Sequence, residues 1–233
     1  MEYVLKKRPK KPVIIEGFPG YGLVGTISTE YLIKQLNAKP IGYAEMKEVP
    51  PVVAIHQGCA VEPLGLFYAE KQNILIVHAL AGVQGFEWQL ADLIVKLAKD
   101  LDAKEVISLE GVGGGQEETS TFYLFGSMCG DKKVKIPGVT RLEEGIIMGV
   151  AGALLLKEDI KLTCFFASTH STLPDSKAAA SLVKIVNIYL NLGLDMKPLV
   201  KRAESFEAKL REVIKKSASS ENLPKREGPG YFG

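Results

Sequence analysis

Two kinds of apolar segment alternate along this chain, and that alternation limits its fold more than any other feature. Short, β-branched runs at residues 13–16, 52–56, 64–69, 74–80, 105–109 and 161–167 read as strands. Residues 23–36, 86–101, 143–156 and 176–191 carry the three-and-four spacing of helices. Asp175 or Ser176 is placed to cap the last of these at its start, and Gly193 at its end. Strands that take turns with helices predict an α/β fold of three layers, with a mainly parallel sheet covered on both faces. The runs at 64–69 and 74–80, joined through Glu70-Lys71-Gln72-Asn73, form a hairpin and make the sheet mixed. Of the 233 residues 46% are hydrophobic, enough to bury one large core.

The remaining bulk properties exclude more than they select. A formal net charge of +2 provides no long-range field, so no nucleic-acid or acidic-lipid partner is expected. Cys59, Cys129 and Cys164 are far apart and odd in number, the usage of a reducing compartment. Residues 1–12 are basic with no apolar run behind them of signal-peptide type. The most apolar window, 145–156, is too short to cross a bilayer as a helix, so Gly145 and Gly149 read as close helix packing within the domain. The expectation is a cytoplasmic protein.

The sharpest chemical motif follows the first apolar strand. Gly20-Tyr21-Gly22-Leu23-Val24-Gly25 matches the GxGxxG pattern and opens a helix, and Glu45 lies at a suitable distance beyond it. Such a loop aims backbone N–H groups and a helix N-terminus at a pyrophosphate. Gly20, Gly22 and Gly25, with His170 downstream, are therefore a candidate ligand loop. Against this, Pro19 removes one N–H donor and no second mononucleotide-binding half is visible; a structural junction of strand and helix explains the same glycines. A second glycine-rich stretch, residues 110–115, is followed by Glu117 and Glu118, which repel an anion, and no Walker lysine is present. His56, His78 and His170 have no ligand set around them, so no metal and no cofactor are expected. Ser168 to Thr172 around His170 offer hydroxyls and an imidazole without the third member of a triad.

The end of the chain differs in composition. Leu199, Ala203, Phe206, Leu210 and Val213 repeat at heptad spacing in a helix that begins at Pro198. This stripe suits either the chain's own domain or an oligomer seam. Residues 217–233 are polar and rich in serine, glycine and proline, a composition that buries too little apolar area to offset the entropy of ordering. The division expected is a domain at 1–216 and a flexible tail at 217–233, which ends in Tyr231-Phe232-Gly233.

Gly17-Phe18-Pro19-Gly20-Tyr21-Gly22-Leu23-Val24-Gly25 resembles the opening motif of the PAC2 family, the proteasome assembly chaperones and their archaeal homologues. The stretch from Ser168 to Ala180 is similar to that family's later strand-to-helix segment, and Leu192-Gly193-Leu194-Asp195 to its entry into the final helix. The resemblance covers roughly residues 10–212. It implies a fold similar to that of nucleoside phosphorylases without their catalytic residues, homo-oligomers, and a non-catalytic role in proteasome assembly or activation. Some relatives carry ATP-grasp-type enzyme labels, so a nucleotide- or nucleoside-using enzyme, ATP-grasp-like or dinucleotide-binding, with the Gly20–Gly25 loop as its ligand site, stays as the alternative.

Proteasome-binding proteins often end in a hydrophobic–tyrosine–any-residue tripeptide that inserts between α-ring subunits. Here Tyr231, Phe232 and Gly233 keep the apolar residue, the ring and the terminal carboxylate but lack the phenolic hydroxyl. What the resemblance implies is therefore docking on the 20S proteasome α-ring through this tail, with another PAC2-type protein as the other partner open to it.

Overall fold

A computed structural model describes residues 1–45, 54–56, 59–79, 84–114, 119–126, 136–169 and 173–196. His170, the helix expected from Pro198 and the tail expected over 217–233 lie outside them.

The described chain forms an α/β fold around a nine-stranded mixed sheet, ordered β1-β3-β6-β7-β2-β8-β11-β9-β10. In chain order these are β1 (Glu2–Leu5), β2 (Val13–Gly17), β3 (Lys39–Glu45), β4 (Ala54–His56), β5 (Cys59–Val61), β6 (Leu64–Ala69), β7 (Ile74–Ala79), β8 (Glu105–Gly113), β9 (Thr121–Phe125), β10 (Val139–Arg141) and β11 (Leu162–Thr169). β4 and β5 pair separately as a small ribbon. The helices are α1 (Val24–Gln35), α2 (Glu87–Asp100), α3 (Gly149–Leu155) and α4 (Ser176–Tyr189).

Parallel pairing is concentrated at the centre. β7, β2, β8 and β11 run side by side in one direction, and these near-continuous apolar runs are buried on both faces, as parallel strands require. The β6–β7 hairpin pairs antiparallel as expected, from Leu64 opposite Ala79 to Ala69 opposite Ile74. Antiparallel pairs of β1 with β3 and of β3 with β6 close one margin. At the other margin β9 lies antiparallel to β11.

Helices α1 and α4 cover one face of the sheet, α2 and α3 the other. The helix after β2, α1, therefore lies on one face, and α3, which comes between β8 and β11 in the chain, lies on the opposite one. Adjacent parallel strands whose connections part in this way leave a crevice above their carboxyl ends, the usual place for a site in an open α/β sheet.

Three expectations are corrected. First, residues 111–113 are not loop: β8 runs to Gly113, held by β11 down to the pair Gly113–Thr169, so their backbone is committed to the sheet. Second, the helix expected over 143–156 is only Gly149–Leu155. Met148 is extended and Gly149 has φ of 76°, so helical geometry does not continue backwards, and Ile146 and Met148 project outward at 89% and 68% exposure. No atom of another element lies within 4 Å of a Cβ built on Gly149, so the Gly145–Gly149 spacing is not a packing seam. Third, α4 ends at Tyr189, where Asn191 takes the left-handed turn (φ 50°) ahead of Gly193 (φ 67°).

Asp175 is the N-cap of α4: its Oδ1 accepts from the backbone N–H of Lys177 (3.1 Å) and Ala178 (2.9 Å), while Oδ2 accepts from the Thr169 hydroxyl (2.8 Å). Asp175→Ala is expected to cost about 1–2 kcal/mol in chemical denaturation, the range for losing a cap. A change below about 0.3 kcal/mol would show that water satisfies the helix end as well as Asp175 does.

Candidate functional site: an acid-floored cleft beside the glycine loop

β2 ends at Gly17, and the chain turns through a single 3-10 turn (Tyr21–Leu23) into α1. The glycines make this tight return fit. A Cβ on Gly25 would stand 2.4 Å from the Leu109 carbonyl oxygen of β8, and one on Gly17 would stand 2.3 Å from the Gly25 carbonyl oxygen. The start of α1 thus lies on the ends of β2 and β8 at backbone contact. Gly22 has φ of 60° and its carbonyl accepts from the Asp175 N–H at 2.8 Å, which ties the loop to the start of α4. The fold brings Gly20, Gly22 and Gly25 together as expected, at contact with other parts of the chain.

Glu45 does not join them. β3 is separated from β2 by β6 and β7, so its terminal carboxylate is on the far side of the hairpin from the loop.

A cleft of about 490 Å³ opens where the loop after β2 meets the end of β8 and the residues leading into α3. Phe18 and Val150 contribute to its buried wall, and Tyr21, Ile146 and Met148 to its exposed rim. The charged residues in its described lining are both acidic, Glu87 and Glu110. Glu110 lies at the floor with 8% exposure. Its Oε1 accepts from the Gly111 N–H at 3.1 Å, and Oε2 has no hydrogen-bond partner among the described residues. A Cβ on Gly20 would stand 2.2 Å from Glu110 Oε1, so the glycine leaves room for the carboxyl beneath the loop.

A second buried acid lies behind the first. Glu16 on β2 is in register with Ser108 on β8, and Ser108 with Cys164 on β11, a polar row across three central strands. Glu16 is 2% exposed, and neither its Oε1 nor Ser108 Oγ has a hydrogen-bond partner. Burial pushes the Glu16 carboxyl up to about 8, with the nearby Ser108 hydroxyl offsetting part of the rise. Glu110 is raised well above the usual carboxylate range, first by burial and then by the charge of Glu16. The Cys164 thiol is also pushed up by burial, which makes it an inert packing group. Glu105 is the informative contrast: it too is buried, but it accepts from Thr163 Oγ1 at 2.5 Å and Tyr189 OH at 2.9 Å.

His78, on the opposite face at the end of β7, packs against α1. Nδ1 is 2.8 Å from the Thr29 hydroxyl, and Nε2 is 3.5 Å from Glu30 Oε2 without hydrogen-bond alignment. Burial lowers its pKa to about 4, against the opposing pull of Glu30. This is a neutral structural imidazole. Among the described residues no three His, Cys, Asp or Glu side chains are placed to hold a metal ion, and no helix is long and apolar enough to cross a membrane.

Sequence reasoning passed over the cleft's acids and its exposed rim. A signal for the acids existed: Glu16 and Glu110 each interrupt an otherwise apolar strand at its carboxyl end, where a charge has to be buried. No comparable signal marked Ile146 and Met148, which read as the buried stripe of a helix.

These features define a class: an α/β/α domain whose glycine loop closes on its own sheet ends beside an acidic, apolar-rimmed cleft. The model of the PAC2 family matches residues 14–214, and the chain belongs to that family. An uncharacterized protein of Methanocaldococcus jannaschii, MJ0106, is 30% identical over 242 residues, covering 100% of this chain and 98% of that one. The crystal structure of Pyrococcus furiosus PbaA, described as an archaeal homolog of proteasome-assembly chaperone, superposes with a TM-score of 0.82 at 31% identity, over 95% of this chain and 99% of that one. PbaB of the same organism, described as an archaeal proteasome activator, shares the fold at a TM-score of 0.70 and 22% identity, over 91% of this chain and 98% of that one.

Proposed function

We propose that this protein is a non-catalytic assembly chaperone or activator of the 20S proteasome, working in the cytoplasm as a homo-oligomer and docking on the α-ring through Tyr231, Phe232 and Gly233. The observation that carries the reading is the similarity to PbaA along nearly the whole chain, joined to a C-terminal tripeptide with an aromatic anchor and a free carboxylate. A lysine in a ring pocket would pair the Gly233 carboxylate by charge-assisted hydrogen bonds while Phe232 fills an apolar recess. The absent phenolic hydroxyl removes one hydrogen bond, so a single tail binds weakly. If residues 217–233 behave as a flexible chain, as their composition predicts, they would reach roughly 20–25 Å, and several tails on one oligomer would gain about 10²–10⁴ in avidity where the geometry lets them engage together.

The glycine loop argues against the nucleotide-using alternative. Its close approaches are filled by the chain itself, and the cleft beside it carries carboxyls without a basic side chain in its described lining. A phosphate gains nothing from such a wall.

Deletion of residues 231–233 is expected to abolish capture of purified archaeal 20S proteasome while the melting temperature and oligomer size stay unchanged. Undiminished capture overturns α-ring docking by the tail. Loss of a different, PAC2-type prey from a lysate in its place would assign the tail to that partner.

A further inference from the structure

We infer that the cleft beside the glycine loop is a binding site for an organic cation: a primary ammonium or guanidinium group on an apolar stem, seated against Glu110. The inference is independent of the tail and of the proteasome.

Three observations point the same way. The cleft is far larger than one water needs, at about 490 Å³ against roughly 30 Å³ for a water in the liquid. Its floor is a carboxyl more than nine-tenths buried, with Oε2 unpartnered among the described residues and the residue itself lining the space. Its charged lining is of one sign, Glu110 below and Glu87 at the side, with no described lysine, arginine or histidine to neutralise either. Buried carboxyl oxygens short of donors are costly: Glu110 has the Gly111 N–H on Oε1, and Glu16, whose Oε1 is unpartnered, stands behind it. A neutral hydroxyl ligand would satisfy the open oxygen only. A cation satisfies it and stabilises the charged form of the carboxyl, which burial disfavours.

The walls select the remainder of the ligand. Phe18 is buried and apolar, and Tyr21, Ile146 and Met148 line the way in at 44%, 89% and 68% exposure. An unbranched aliphatic stem of four to six carbons packs along such a channel, at about 0.8 kcal/mol per buried methylene. Tyr21 places an aromatic ring on the rim where a cation would enter.

The groups facing Glu110 fix the proton balance. Glu16 on β2 and Glu87 at the start of α2 are acids, Cys164 on β11 is a neutral thiol, and Tyr21 belongs to the loop. None is basic, so no described charge beside Glu110 offsets the burial and the Glu16 charge that raise its pKa. An entering ammonium favours the carboxylate, so binding lowers the Glu110 pKa and shifts its proton toward solvent.

Calorimetry of the full-length protein with hexylammonium, hexanol and hexanoate, repeated in two buffers of different ionisation enthalpy, tests this. Hexylammonium is expected to bind at least tenfold more tightly than hexanol, with net proton release, and hexanoate not to bind. Glu110→Gln, which keeps the side chain's size, is expected to weaken the amine at least tenfold and abolish proton release; its folding is checked by melting temperature. Equal binding of hexanol and hexylammonium, no binding of any probe, or an unchanged Glu110→Gln overturns the inference.

The same chemistry is carried by a free alkylamine and by a lysine side chain in a protein segment. Acetyl-Leu-Lys-Leu-amide separates the two. Tighter binding of the peptide than of hexylammonium, weakened by Met148→Ala, assigns the site to a protein segment; the reverse order, indifferent to Met148→Ala, assigns it to a free amine.

Discussion

Glu16→Gln is expected to flatten the loss of stability that the wild-type protein shows as the pH rises. The Glu16 carboxyl sits at about 8 in the fold, against 4.5 for the free side chain. A folded-state value above the unfolded one means that the native protein binds the extra proton between those limits. Its contribution is complete below about pH 4.5, declines through the interval, and is lost above about pH 8. At about 1.4 kcal/mol per pH unit the full span is worth about 5 kcal/mol, comparable with the net stability of many domains.

Glutamine keeps the shape of the protonated acid but does not ionise. Its amide meets the same unpartnered surroundings that leave Glu16 Oε1 without a hydrogen bond, so the absolute stability at pH 5 is not the diagnostic. The slope is. Urea denaturation at half-unit steps from pH 5 to 9 should show a marked fall for wild type and a much shallower one for the variant. Glu110 shifts in the same direction and supplies the remaining slope, which Glu16→Gln/Glu110→Gln should remove. Parallel curves for wild type and Glu16→Gln would mean that Glu16 reaches water or a donor in the folded state.

Gly25→Ala is the second large effect, and helix propensity predicts the wrong sign for it. In an exposed helix, alanine for glycine is worth about 1 kcal/mol of added stability. Here the new methyl carbon would stand 2.4 Å from the Leu109 carbonyl oxygen, and 3.0 Å from both the Gly17 Cα and the Phe18 carbonyl oxygen. All three are backbone atoms of strand or loop, so no rotamer change relieves the contact and α1 has to lift off the sheet. Overpacking a rigid contact costs about 3 kcal/mol or more, which exceeds the propensity gain.

Gly113→Ala is the matched control. Its nearest non-neighbouring atom is the Tyr21 ring carbon Cε1 at 3.9 Å, so it should change stability by less than about 0.5 kcal/mol. Chemical denaturation of the two variants side by side measures the difference. A neutral Gly25→Ala would show that the strand–loop–helix junction has slack, and would return the glycines to a ligand-binding explanation.

The sequence by itself determined the order and kind of the main elements. Short continuous apolar runs and amphipathic runs with period 3.6 report directly on which side chains must leave water, and that demand is local. The strand before the glycine loop, the β6–β7 hairpin, the helix over 87–100 and the cap at Asp175 were all legible for this reason. The row of three glycines was legible too, as a junction needing bare backbone.

Tertiary structure decided the rest, because it depends on which strands become neighbours. Sheet order removed Glu45 from the glycine loop by placing two strands between them. Pairing with β11 turned residues 111–113 from loop into strand. A positive φ at Gly149 stopped a helix that residue spacing would have continued, and so put Ile146 and Met148 at the mouth of a cleft. The juxtaposition of Glu16 and Glu110 arises only from β2 lying beside β8, with 94 residues of sequence separating two carboxyls that the sheet brings into electrostatic contact. Burial is a property of the whole fold, and it is the first cause of the raised pKa of both acids.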